Sequence, residues 1–329
     1  MSKRRRTRPM EVDGNALKII PGINTFKKEA SIPLSGCVKT GMLLSACIGG
    51  KLYIPKCISD KSNANIHSFY FEGHVVYDLK DGKLTDTTNG EYMVKITEER
   101  SCASWPGKEN HKIVYHDMMK HEFHEFDTET GKFSGFVCTD MFMDLSNRWL
   151  GVTDCCIINR KNEMVYIKVD TNRKKIIPRL LSLNTRRVEK YLPPIECDYE
   201  YSARCMCLLQ NSKGCYLIAM AASQMIVCNE DFQYLFKFHA IQVDPFVFDT
   251  GRLVVCMALD SFDNVYIQTF KNDHMICMHR ADGEFVKMLS RETGRLSSVI
   301  EYFDNGVYKV CTDPEERCID IFKSSPLFE

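Results

Sequence analysis

Four histidines crowd one short stretch: His111, His116, His121 and His124 fall between Asn110 and Asp127, beside Asp117, Glu122 and Glu125. Imidazole nitrogens and carboxylates are the donors from which zinc sites are built. Their spacing argues against convergence. Residues 121–126 read as a strand, whose side chains alternate between faces, so His121 and His124 point in opposite directions. A polar strand surface fits better, and no metal ligand is assigned.

Cysteine is the next candidate, with sixteen copies spread from Cys37 to Cys318. Neither Cys155-Cys156 nor Cys205-Met206-Cys207 has the C-x-x-C spacing that lets two sulfurs meet on one metal or form a redox pair. A chain of this length needs no disulfide staples, so the cysteines read as reduced thiols that act as small buried hydrophobes. The chain has no Asn-x-Ser/Thr acceptor, and Met1 to Pro9 lacks the apolar segment of a secretory signal. Cytoplasm or nucleus is therefore the expected compartment. The longest apolar run, Cys215 to Cys228, is 14 residues long, short of the roughly 20 that span a bilayer, so no membrane span is expected.

Catalytic motifs are missing. There is no G-x-S-x-G elbow, no G-x-x-x-x-G-K-S/T phosphate loop, no G-x-G-x-x-G and no H-E-x-x-H. No catalytic residue and no cofactor is assigned on that basis.

Charge is more informative. The chain balances 43 basic against 43 acidic residues, but Lys3, Arg4, Arg5, Arg6 and Arg8 lie in the first eight positions, leaving a net of −5 for the rest. That basic run resembles a nuclear-import signal and cannot fold alone. A second concentration runs from Lys168 to Lys190: Lys168, Arg173, Lys174, Lys175, Arg179, Arg186, Arg187 and Lys190 against Asp170 and Glu189, or +6 in 23 residues. A solvated edge accounts for such a pattern. The functional reading is that Arg173, Lys174, Lys175, Arg179, Arg186, Arg187 and Lys190 meet RNA phosphates or an acidic partner. If 170–175 and 184–190 are turns around a strand at 176–183, the two groups sit roughly 25 Å apart at about 3.3 Å per residue.

The elements that carry these residues come from a repeat. A polar or glycine turn followed by an apolar-Tyr pair recurs at Tyr53, Tyr115, Tyr166, Tyr216, Tyr266 and Tyr308, at intervals of 62, 51, 50, 50 and 42 residues. Downstream halves repeat as well: Met225-Ile226-Val227-Cys228 lies 50 residues before Met275-Ile276-Cys277-Met278. Valine, isoleucine, tyrosine and phenylalanine fill these runs, and Asp-Gly, Asn-Gly and Asp-Asn mark the turns, as strands and hairpins require. Six units of about four strands each predict an all-β, six-bladed β-propeller. Only 21 residues follow Tyr308, so unit six lacks an outer strand. The segment from Leu17 to Phe26 is the expected donor, an N-terminal strand closing the last blade. The domain reading is a basic disordered tail at 1–12 and one propeller at 13–329.

Unit five resembles a known repeat. Leu259-Asp260-Ser261-Phe262-Asp263-Asn264-Val265-Tyr266-Ile267, then His274 to His279, then Asp282-Gly283-Glu284-Phe285 is similar to a blade of NHL-type six-bladed propellers. The other units share its period and its apolar-Tyr strand. Trp105 and Trp149 are not followed by Asp, as WD40 repeats would have it, and the paired glycines of kelch repeats occur only at Gly49-Gly50. The resemblance implies a noncatalytic recognition or scaffold module with a protein partner, and a ring face that can bind single-stranded RNA. The alternative is a channel-centred, metal-dependent hydrolase, since some six-bladed propellers are calcium-dependent lactonases or esterases whose acids and asparagines are too dispersed to form a local motif.

Overall fold

The computed structural model describes residues 10–12, 15–33, 46–59, 68–86, 94–97, 102–104, 111–117, 122–137, 155–161, 163–170, 175–182, 187–195, 205–220, 223–244, 247–248, 252–293, 297–313 and 318–329. Strands run through nearly all of them. The first are a short ribbon of β1 (Met10–Val12) and β2 (Asn15–Leu17), followed by β3 (Phe26–Pro33).

Unit one holds β4 (Ala46–Ile48), β5 (Lys51–Ser59), β6 (Ser68–Asp78), β7 (Leu84–Asp86) and β8 (Val94–Thr97). Unit two is β9 (Cys102–Ser104), β10 (Lys112–Asp117), β11 (Glu122–Asp127) and β12 (Lys132–Val137). Unit three is β13 (Cys155–Ile158), β14 (Glu163–Asp170), β15 (Lys175–Ser182) and β16 (Arg187–Tyr191). In unit four, β17 (Cys205–Gln210), β18 (Tyr216–Met220), β19 (Gln224–Cys228) and β20 (Tyr234–His239) lead to a ribbon, β21 (Gln242–Asp244) and β22 (Val247–Phe248). Unit five is β23 (Leu253–Leu259), β24 (Val265–Phe270), β25 (His274–His279) and β26 (Phe285–Glu292), and unit six is β27 (Ser297–Phe303), β28 (Gly306–Asp313) and β29 (Cys318–Ser324).

Each unit is an antiparallel meander in which every strand but β8 of unit one pairs with the one before it. The first strands of units two to six pack successively against one another, β9 on β13, β13 on β17, β17 on β23 and β23 on β27. Those strands therefore line a common axis while the later ones step outward, which is a β-propeller. Five of the sheets have the expected four strands. Unit one departs: its 11-residue β6 takes two outer partners, β7 along Val75–Tyr77 and β8 along Ser68–Phe71, giving a five-stranded sheet. A register shift between Lys56 and Cys57 on β5 divides β6 between them.

All six tyrosines that mark the repeat lie on the second strand of their units, on β5, β10, β14, β18, β24 and β28. A strand buried on both faces sends alternate side chains to two neighbours. Leu52 and Ile54 of β5 pack with Val299, Tyr308, Val310, Ile319 and Ile321 of unit six, whereas Tyr53 packs with Ile113, Tyr115 and Phe126 of unit two. Likewise Tyr216 and Ile218 face unit three, while Leu217 and Ala219 share a cluster with Val254, Val265 and Ile267 of unit five. Each fully buried large side chain there contributes on the order of 1.5–3 kcal/mol.

The missing outer strand of unit six is supplied from the N-terminal side, as expected, but by β3, which meets the expected segment 17–26 only at Phe26. β3 pairs with β29 from Phe26↔Ser324 to Pro33↔Cys318. Burial fixes that register: Ile32 and half-buried Ala30 join Ile319 and Ile321 against Leu52 and Ile54. Leu17 belongs to the β1–β2 ribbon, whose first strand falls in the last three residues of the expected tail. Lys3, Arg4, Arg5, Arg6 and Arg8 lie outside the described residues. No helix among the described residues is long and apolar enough to cross a membrane.

Candidate functional site: the turn-bearing ring face and its basic flank

Three of the repeating tyrosines, Tyr115, Tyr216 and Tyr308, bind units together through their hydroxyls. Tyr115 Oη lies 2.5 Å from His74 Nε2 of unit one, and Tyr216 Oη accepts from Asn159 Nδ2 of unit three at 3.2 Å. Tyr308 donates to the Leu79 carbonyl of unit one at 3.2 Å. Tyr266 stays within its own unit and donates to Asp260 Oδ2 at 2.9 Å. Burial pushes the Tyr216 hydroxyl up to about 12, and burial followed by the Asp260 carboxylate raises Tyr266. These two hydroxyls are held protonated, and Tyr266 serves as the donor to Asp260.

Above the tyrosines, the turns entering the second strands share one device. Asn159, Asn211 and Asp260 each use Oδ1 to accept from the amides two and four residues on: Lys161 and Glu163 at 2.9 Å, Lys213 at 3.0 Å and Cys215 at 2.9 Å, and Phe262 and Asn264 at 2.9 Å. Such turns are what Asn and Asp side chains form most readily. Burial raises the Asp260 carboxyl even though these bonds and the one from Tyr266 pull the other way.

Adjacent turns are then tied to each other across units. The Arg160 amide donates to Gln210 Oε1 at 3.0 Å, and its guanidinium donates to the Ser212 carbonyl. The Ser212 amide and hydroxyl donate to the Asp263 carboxylate at 2.6 and 2.5 Å. A polar relay thus runs from unit three through unit four to unit five. Asp263 holds a positive φ of 62° to meet it.

The described part of the basic segment lies on β14, β15 and β16 of unit three. Lys175 opens β15 opposite Asp170, and Arg187 opens β16 opposite Ser182, at the other end of β15. Seven residues of strand separate them, about 23 Å at about 3.3 Å per residue. Lys190 pairs with Leu180, and Arg179 pairs with Tyr191, so these two bring charge to the middle of the β15–β16 pair. Arg179 is half-buried and donates to the Pro178 carbonyl at 3.2 Å. Arg173, Lys174 and Arg186 lie outside the described residues.

Of the four histidines of unit two, His111 and His124 have described side chains, and their settings differ. His111 is exposed and 3.0 Å from Glu129, while His124 is buried on β11. His121 lies outside the described residues, and for His116 only its place on β10 is described. Among the described residues, no group of three or more His, Cys, Asp or Glu side chains could hold a metal ion.

Sequence reasoning missed the lining of the axis. Cys47, Cys207, Cys256 and Glu301 all lie on first strands, and Cys207 donates to the Val255 carbonyl of the next unit at 3.2 Å. Cys256 donates to Gln268 Oε1 at 3.1 Å. Burial pushes the Glu301 carboxyl up to about 8. Burial likewise raises the Cys47 thiol, and Glu301 raises it further. A neutral Cys47 thiol beside a neutral acid is a poor nucleophile and a poor metal ligand at pH 7. The clue in the sequence was a glutamate inside the run Ser298-Val299-Ile300-Glu301-Tyr302-Phe303. Sequence reasoning also missed a cluster at the opposite end of unit five, where buried Arg252 and exposed Arg291 bind the two oxygens of buried Asp273. Burial alone would raise that carboxyl, and the two guanidiniums hold it below the usual range.

No protein-family model matches the sequence, and no curated protein matches it either. Solved structures do. A structural genomics protein of unknown function from Bacteroides thetaiotaomicron superposes with a TM-score of 0.54 at 10% identity, over 92% of this chain and 76% of that one. The β-propeller domain of Cps50 (Swd1) from Myceliophteria thermophila superposes with a TM-score of 0.49 at 14% identity, over 86% of this chain and 83% of that one. At such identities the likeness is one of fold.

Proposed function

We propose that the chain is a noncatalytic, intracellular recognition propeller of six blades, related to the NHL type, whose turn-bearing face binds a protein partner. The supporting observation is the relay from Arg160 through Ser212 to Asp263, which fixes neighbouring turns of one face relative to one another. A rigid scaffold presenting adjacent turns is the usual setting of a binding surface. The six-blade count is supported by unit one, whose sheet packs against both unit two and unit six despite its extra strand. The NHL affinity rests on unit five, where Asp260, Asn264 and Tyr266 of the resembling segment form one hydrogen-bonded turn.

Single-stranded RNA is the leading ligand beyond protein, bound along the basic edge of unit three. Affinity purification from the native cell, with and without nuclease, tests both parts. Partners retained after nuclease treatment support protein recognition, and partners lost with the RNA support RNA tethering. Turnover of lactone or ester substrates dependent on a divalent ion would overturn the noncatalytic reading.

A further inference from the structure

The last residues of the sequence are bound in a way their position on a blade edge does not require. After β29 ends at Ser324, residues 325–329 leave the sheet and cross between units five and six. Their main-chain groups are then satisfied one after another. The Ser325 amide donates to the Thr25 carbonyl at 2.7 Å, and Asn24 Nδ2 donates to the Ser325 and Pro326 carbonyls at 3.0 and 3.1 Å. Leu327 and Phe328 donate from their amides to Asn305 Oδ1 at 3.2 and 2.9 Å. Asn305 Nδ2 returns a bond to the Phe328 carbonyl at 2.8 Å. The Ile20 amide donates to the Leu327 carbonyl, and the Glu329 amide donates to the Lys18 carbonyl, both at 2.9 Å.

Two side chains enter the wall between the units. Leu327 is 0% exposed and Phe328 4%, packed with Ala258, Tyr266, Ile300 and Val307 and flanked by Ile19 and Tyr302. The Phe262 ring meets Phe328 edge-on at 6.1 Å. Main-chain bonds that hold an extended segment, with pockets for its side chains, are how proteins recognise short peptides. Asn305 is specialised for the task, since it holds a positive φ of 56° at the β27–β28 turn while its amide group binds both sides of Phe328.

We propose that this slot is a peptide-binding site for an extended Leu-Phe segment, occupied by the chain's own residues 325–329, and that the occupant is exchangeable. Tail and slot together form a second clasp on the ring, separate from the β3–β29 seam. Releasing it opens the interface between units five and six without breaking a blade.

The test uses the acetylated, amidated and fluorescently labelled peptide Ser-Pro-Leu-Phe-Glu and two proteins, the chain ending at Ser324 and the full chain carrying Phe328→Ala. Fluorescence anisotropy should show saturable binding to both. Binding to the unaltered full chain should be at least tenfold weaker, because a tethered occupant competes at an effective concentration of order millimolar. Replacing the peptide's Phe by Ala should also cost at least tenfold. If the shortened chain does not fold alone, refolding with millimolar peptide should recover it. Absence of binding to both variants, equal binding by the unaltered chain, indifference to the Phe, or failure of the peptide to rescue a shortened chain that does not fold would each overturn the proposal.

Discussion

One buried imidazole should cost this ring stability as pH falls. His74 is 0% exposed between units one and two, with the Phe126 ring 4.1 Å away and Tyr115 Oη at its Nε2. Burial lowers its pKa from 6.5 to about 3. Between those values the unfolded chain binds the proton and the folded chain does not, so stability falls as pH falls. The slope approaches about 1.4 kcal/mol per pH unit. Going from pH 7 to pH 5 should therefore remove about 2 kcal/mol through His74 alone.

Other groups titrate in the same range. Glu301, raised to about 8, is neutral in the folded chain and charged in the unfolded one between about pH 4.5 and 8. Its effect has the opposite sign, and acidification relieves its penalty. Buried His279, lowered in the same direction as His74, adds to the loss. The comparison that isolates His74 is the chain against its His74→Gln variant, by urea denaturation at pH 7, 6 and 5. The stability advantage of the unaltered chain should shrink by about 2 kcal/mol over that span. A gap that stays constant would show that His74 titrates alike in both states, and the reasoning from its burial would fail.

Two further outcomes can be checked. Gly283 has φ +82°, and a Cβ there would meet Phe238 at 2.7 Å, while Gly131 has φ +66° and open space around it. Denaturation should show Gly131→Ala costing about 1 kcal/mol for the left-handed backbone alone, and Gly283→Ala costing about 1–3 kcal/mol more for the clash. If single-stranded RNA binds unit three, replacing Arg186 and Arg187 by Ala should weaken it and reduce the slope of log K against log salt by about 1.4, from roughly 0.7 per phosphate contact; an unchanged slope would remove those residues from the interface.

Much of the architecture was legible in the sequence, because a strand buried on both faces forces apolar residues around a tyrosine whose hydroxyl must find a partner. The same strand recurs in each unit, so the pattern repeats in the sequence at Tyr53, Tyr115, Tyr166, Tyr216, Tyr266 and Tyr308. Irregularity was not legible. Nothing in residues 68–78 announces that β6 would take two partners, since bifurcation is decided by register. The closing strand was misplaced for a similar reason. Leu17 to Ile20 is more apolar than Phe26 to Pro33, but pairing with Ile319 and Ile321 rewards alternation, which Ala30 and Ile32 supply.

The site was less legible than the fold. Charge density marked Lys168 to Lys190, yet only pairing reveals that Lys175 and Arg187 stand at opposite ends of β15. The relay through Arg160, Ser212 and Asp263 joins residues 51 or 52 positions apart, and no local motif encodes it.

Closure of the ring by β3 is the claim on which the arrangement of units depends, and amide hydrogen exchange reads it directly. The paired amides between Phe26 and Pro33 should exchange as slowly as those of β29 and only through the same opening, since the two strands share one ladder. Rapid, independent exchange of the β3 amides beside a protected β29 would mean that the last unit is open at its edge, and the ring described here would not exist.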